Sequence, residues 1–179
     1  MSNREQYMPG AASGADINKN GEEWTLVLVR DLRHPPALVW KALTEPEHLR
    51  EWAPFDSDRS LGAVGTATLS TVGTPQVSET RVKRADAPKA LEYSWGGGDL
   101  RWELEPQAGG TRLTLWHNIN RKFISMGAAG WHICFDVMDR FLAGQPIGRI
   151  VGPEALQFGG WQRLNAEYAK QFGVELPRW

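Results

Sequence analysis

The sequence is poor in cysteine, in histidine and in long apolar runs, and each shortage closes off a class of function. Cys134 is the single cysteine among 179 residues. No disulfide can form within the chain, and a cytoplasmic protein is the natural reading. The four histidines, His34, His48, His117 and His132, stand apart with no H-x-x-x-H or C-x-x-C spacing, which argues against a metal centre. The opening stretch "MSNREQYMPGAASGADINKNGEE" has no apolar segment of the secretory kind. Nor does any apolar run approach the ~20 residues a bilayer requires, so membrane insertion is not expected. Charge of one sign is missing too: 20 Lys and Arg against 21 Asp and Glu leave a net charge of -1. That balance points away from nucleic acid as a partner. Arg81, Lys83 and Arg84 come nearest to a basic cluster, and at strand spacing they read as one wet edge. The glycines at 96–98 and 109–110 do not fit a phosphate-binding loop and read as hairpin tips. No cofactor is implied.

What the chain does have is nine tryptophans. An indole brings a large apolar body and one N–H that needs a partner, a combination favoured in pockets and at interfaces. Residues 1–21 are rich in Gly, Asn and Ser without periodicity, which predicts a mobile arm. "EWTLVLVRD" from Glu23 is β-rich. "HPPALVWKAL" and "TEPEHLREW" then predict two short helices, with prolines in their first turns. A run of strands follows: "GTATLST", "QVSETRVKRA", "ALEYSW", "LRWELE" and "TRLTLWHNI". Their alternation predicts an antiparallel meander with one buried face. On that face parity sets Leu91, Tyr93 and Trp95, then Leu100, Trp102 and Leu104, then Leu113, Leu115 and His117, with Trp116 pointing out.

A long helix is predicted over residues 126–143, stopped by Gly144 and Pro146. Trp131, Cys134, Phe135, Met138 and Leu142 form one stripe, with Ile133, Val137 and Phe141 beside it. The apolar arc spans about 200°, roughly twice what a surface helix needs, so this helix must be covered on two sides. His132, Asp136, Asp139 and Arg140 make a narrow polar arc that is expected to face solvent. In the tail, "GPEALQFGGWQRLNAEYAKQFG" predicts one terminal helix, with Trp161, Leu164, Tyr168 and Phe172 on its inner stripe. It would pack on the body or build a homodimer.

The segments "RDLRHPPALVWKALTEPEHLREW", "LEPQAGGTRLTL" and "AAGWHICFDVMDRFLAGQP" carry a resemblance to the START-like (SRPBCC) superfamily. More narrowly the chain resembles the bacterial relatives of the activator of the heat-shock-protein-90 ATPase. The resemblance implies an α+β helix-grip fold, a curved antiparallel sheet around a long helix with an elongated apolar cavity between them. The domain organisation is then an arm over 1–21, a START-like domain over 22–144 and a C-terminal extension over 145–179. The family name also implies a chaperone role. The eukaryotic activators carry a second, N-terminal domain, however, and a short arm cannot stand for one.

Three chemistries compete for this frame. His132 and Cys134 lie two apart on a helix, about 200° around its axis, so they cannot form a dyad. Cys134 reads as a small buried hydrophobe. His117 falls on the inward face, either as a core residue or as the polar handle of a pocket. The favoured reading is a non-enzymatic carrier or sensor of a hydrophobic or aromatic small molecule, with no catalytic residue. Its pocket would be lined by Trp52, Trp95, Trp102, His117, Trp131, Phe135 and Met138. The alternatives are a polyketide cyclase or hydrolase using His117, which needs a second titratable group nearby, and a chaperone-related or dimeric interaction module.

Overall fold

A computed structural model describes residues 3–176. A short helix, α1 (Asn3–Gln6), precedes a hairpin of β1 (Ala15–Asn20) and β2 (Glu23–Leu32). The tight turn between them needs Gly21, whose φ of +63° is left-handed. Two helices follow, α2 (Pro36–Thr44) and α3 (Pro46–Trp52), each with proline at its first turn. That position suits a residue with fixed φ and no N–H to lose. The strands β3 (Phe55–Ser57), β4 (Gly65–Thr71), β5 (Val77–Val82), β6 (Arg84–Asp86), β7 (Ala90–Trp95), β8 (Gly98–Gln107) and β9 (Gly110–Asn118) come next. The chain closes with α4 (Ile124–Leu142), α5 (Gly152–Gln157) and α6 (Gly159–Phe172).

The antiparallel sheet has six strands in the order β1-β2-β9-β8-β7-β6, continued by a three-stranded piece, β3-β4-β5. Side chains bridge the join. Thr80 Oγ1 accepts the backbone N–H of Ser94 at 2.8 Å and lies 3.0 Å from its hydroxyl. This side-chain link takes over where the ladder between β5 and β7 is interrupted, so the surface bends without stranding a buried donor. Across the inner face, Leu91, Trp102, Leu115 and Leu28 form one row, and Tyr93, Leu100, His117 and Leu26 the next. All eight are buried. Their neighbours along each strand are turned out, polar on β7 and β8 but including Val27 and Val29 on β2 and Trp116 on β9, which lies under the Arg101 guanidinium, 5.1 Å from it.

The two covers demanded by α4 are both present. The sheet lies on one side. On the other lies α6, whose Trp161, Leu164, Tyr168 and Phe172 are all buried. The predicted single tail helix is instead two, α5 and α6, interrupted at Phe158, which is extended at φ -83° and ψ 120°.

Two further expectations are corrected. Residues 1 and 2 lie outside the described range, but the rest of the stretch predicted as a mobile arm is tied down. Residues 15–20 pair with β2 along their length, and Tyr7 is buried with its hydroxyl donating to Asp136 at 2.5 Å. A polar edge strand such as "ADINKN" buries too little to show a periodicity. The second correction concerns the polar arc of α4: His132 and Asp136 do not face solvent, whereas the Asp139 side chain, 49% exposed, still does in part. His132 is 4% exposed, with Nδ1 2.7 Å from the Tyr168 hydroxyl. Asp136 accepts from Arg30 at 2.6 Å. The N-terminal segment and α6 cover His132 and Asp136 with polar partners, so part of a polar face can be interior.

Candidate functional site

The space between the sheet and the middle of α4 is filled with aromatic rings. Trp102 meets Trp131 edge-on at 5.5 Å and 85°, Trp52 meets Trp102 at 6.1 Å and 86°, and Phe135 lies 6.0 Å from Trp102. Each indole N–H inside this cluster has an acceptor: Trp52 donates to the Ala42 carbonyl at 2.9 Å and Trp102 to the Tyr93 hydroxyl at 3.2 Å. Satisfied donors and edge-to-face rings make this region a packed core.

The open volume lies toward the start of α4. A cleft of about 400 Å³ is bounded by the sheet end, the first turns of α4 and the segment 150–161. Trp95 and His117 reach it from β7 and β9, and Trp131 and Cys134 from α4. Ile150, Val151, Leu156 and Trp161 close the far wall. Phe123, 41% exposed, and Leu156, 42% exposed, stand at its mouth. A second hollow of about 450 Å³, under the Gly96–Gly98 turn, shares Trp95, His117, Ile119 and Phe123 with the first. The two hollows lie on either side of these shared residues, His117 among them. Space exists because α4 presents glycine there: a side chain at Gly130 would have Trp161 Nε1 as its nearest neighbour, 4.0 Å away.

Of the seven residues predicted to line a pocket, Trp95, His117 and Trp131 come together at this cleft. Trp52, Trp102, Phe135 and Met138 lie beneath it, each at most 1% exposed. Strand and helix parity fix which face a residue occupies but not whether its neighbours leave room. The walls from Ile119, Phe123, Met126 and the segment 150–161 went unpredicted. One signal could have pointed to them: Gly127 and Gly130, at i and i+3, thin the same face of α4.

His117 is the polar centre. Its Nδ1 accepts the Trp131 indole N–H at 3.0 Å. An indole nitrogen can only donate, so the imidazole proton must sit on Nε2. Burial pushes the His117 pKa down to about 4, which keeps the ring neutral. Burial likewise pushes the Cys134 thiol up to about 12, which suppresses the thiolate that nucleophilic chemistry needs. Among the described residues no Asp or Glu lines the cleft. The acid–base pair that a cyclase mechanism asks of His117 has no second member there. Among the described residues no group of three or more His, Cys, Asp or Glu could hold a metal, and no helix is long and apolar enough to cross a membrane.

A curved antiparallel sheet closed around one long helix, with an end cleft between them, defines a START-like (SRPBCC) protein of helix-grip fold. Residues 33–143 match the family described as activator of Hsp90 ATPase homolog 1-like protein, and the chain belongs to it. Among solved structures, a conserved protein of unknown function from Enterococcus faecalis superposes with a TM-score of 0.68 at 18% identity, over 90% of this chain and 92% of that one. CalU16 from Micromonospora echinospora gives a TM-score of 0.61 at 20% identity, over 89% and 92%. Identities this low establish shared fold and nothing narrower. A curated relative, the DNA mismatch repair protein MutL of Chlorobium chlorochromatii, is 30% identical over 135 residues, which is 68% of this chain and 21% of that protein. The chain thus spans about one fifth of the length of the curated relative it matches.

Proposed function

We propose that this domain is a non-catalytic carrier or sensor of a hydrophobic or aromatic small molecule. One observation carries the reading: a cleft of about 400 Å³ with aromatic walls from Trp95, Trp131 and Trp161 and a neutral imidazole, His117, among them. That volume falls inside the range of ~300–1,000 Å³ typical of small-molecule sites. Burial of a flat guest is worth about 25 cal/mol for each Å² taken from water. The neutral His117, with no carboxylate beside it, orients a guest rather than moving its protons.

The test uses prodan, a neutral naphthalene dye whose emission shifts to the blue in apolar surroundings. Wild type is expected to shift it saturably. Gly130→Leu, which puts a side chain into the cleft from an open position on α4, is expected to abolish the shift while the melting temperature holds. Prodan that stays unshifted with wild type, or binds both proteins equally, would overturn the reading.

A further inference from the structure

Hydrogen-bond accounting inside the cleft specifies its guest more narrowly. The side chains lining it bring indole and imidazole hydrogens, while Thr74, an exposed residue at the rim, supplies the lone side-chain oxygen. Thr74 is engaged already, since its hydroxyl accepts the Gln76 N–H at 3.1 Å. Of the indole donors, Trp95 Nε1 is spent on Thr71 Oγ1 at 3.0 Å and Trp131 Nε1 on His117 Nδ1 at 3.0 Å.

Two donors are left over. The first is His117 Nε2–H, on a ring 5% exposed and carrying a proton fixed there by the Trp131 bond. Among the described residues it has no acceptor, and the backbone of Gly98 passes close enough that a Cβ there would come within 3.3 Å. The second is Nε1–H of Trp161, a residue 7% exposed and likewise without an acceptor among the described residues, on the opposite wall. Both residues line the cleft and both N–H groups keep access to its water, so a guest that displaces that water must replace the hydrogen bonds it takes away.

Resting on the reading above, we infer that the cleft selects neutral, flat aromatic molecules bearing ketone- or quinone-type oxygens, and disfavours those of equal size whose polar groups are N–H or O–H donors. A guest N–H set against His117 Nε2–H or Trp161 Nε1–H leaves both hydrogens unpaired in an apolar enclosure, whereas a carbonyl oxygen satisfies either one. Sites built to make a hydrogen bond reject the analogue that lacks it more strongly than apolar walls reject a change of shape. An ionised carboxylate gains no opposite charge here, because burial keeps His117 neutral and, among the described residues, no Lys or Arg lines the cleft.

The experiment uses three tricyclics of nearly one shape: fluorenone, with an acceptor; carbazole, with a donor; and fluorene, with neither. Affinities are read by equilibrium dialysis against the full chain. Fluorenone is expected to bind roughly tenfold tighter than fluorene, the worth of one well-placed hydrogen bond, and carbazole no tighter than fluorene. His117→Phe should erase the fluorenone advantage while fluorene still binds. His117→Gln, whose carbonyl can accept from Trp131 while its amide N–H donates to the guest, should restore most of it. Melting temperatures confirm that both variants fold. If all three compounds bind wild type equally, or carbazole binds tightest, the selectivity inference is overturned and the cleft reading stands. If none binds, both are overturned.

Discussion

Tyr7 and Asp136 stand 129 residues apart in the chain and share a hydrogen bond of 2.5 Å. The other oxygen of the same carboxylate takes Arg30 at 2.6 Å, so one side chain on α4 ties together the N-terminal segment and β2. Tyr7→Phe removes one charge-assisted bond and leaves the ion pair, for a loss of about 1–2 kcal/mol. Asp136→Ala leaves both Tyr7 and Arg30 facing a mostly buried gap and is expected to cost about 3 kcal/mol. Urea midpoints rank the two. Amide exchange should speed up around Tyr7 in Tyr7→Phe and much less in β1, because Ala12 and Ser13, leading into that strand, are held separately by Glu167 and Tyr168 of α6.

The neutral histidines predict a stability profile against pH. A histidine whose folded pKa is depressed costs nothing above its unfolded value near 6.5. Below that the unfolded chain takes up a proton that the folded one refuses, and stability falls until pH reaches the folded pKa. For His117 the window runs from 6.5 down to about 4, worth about 3 kcal/mol at roughly 1.4 kcal/mol per unit. His132 adds to the same fall, with its pKa lowered by burial first, then raised by Asp136 and lowered again by Arg30. Urea midpoints at pH 7.5 and 5 should separate wild type from His117→Gln. The variant, lacking the titrating ring, is expected to lose clearly less stability between the two. Equal losses would mean that His117 does not stay neutral in the fold.

How far the sequence foretold this molecule depended on whether a feature repeats. Leu100, Trp102 and Leu104, or Trp131, Phe135 and Met138, fall at regular intervals, and the faces they predict are the buried ones. Trp161, Leu164, Tyr168 and Phe172 likewise marked the inner stripe of α6 before any coordinate did. Features resting on a single residue were illegible. Isolated side-chain bonds from Arg4, Tyr7 and α6 secure the N-terminal segment, one phenol and one aspartate take His132 and Asp136 of α4 into the interior, and Phe158 splits the tail into two helices. The cleft was half legible for the same reason. Parity brought Trp95, His117 and Trp131 to one face, but whether rings leave a gap is a matter of volume, and Trp102 and Phe135 use theirs to fill it.

The two glycines of α4 that open the cleft should respond differently to a methyl group. At Gly130 a Cβ meets nothing nearer than 4.0 Å, so Gly130→Ala keeps the helix-propensity gain and is expected to stabilise by about 0.5–1 kcal/mol. At Gly127 the Cβ would lie 2.9 Å from Ile119 Cδ1, which must move aside. That displacement offsets the gain, and Gly127→Ala should be neutral or destabilising. Thermal melts of the two variants check the contrast; a stabilised Gly127→Ala would show that Ile119 has room to retreat.

The far wall of the cleft depends on how residues 145–153 are held. Arg149 grips Asp56 on β3 with both of its terminal nitrogens, at 2.6 and 3.2 Å. Arg4 donates to the carbonyls of Ile147 at 2.9 Å, Gly148 at 2.6 Å and Arg149 at 3.2 Å, and pairs with Glu154. Gly73, at φ +80°, lies so close to Pro153 that a Cβ would come within 2.4 Å of its ring. This strap carries Ile150 and Val151, so under the proposed function its mobility is expected to set how readily a guest leaves. Asp56→Ala removes a partly exposed pair and should cost global stability no more than about 1 kcal/mol. The local effect is expected to be larger: faster amide exchange across residues 147–152, and prodan dissociating several-fold faster by stopped-flow. An unchanged dissociation rate alongside faster exchange would mean that guests enter and leave instead through the groove beneath Gly96–Gly98, past His117.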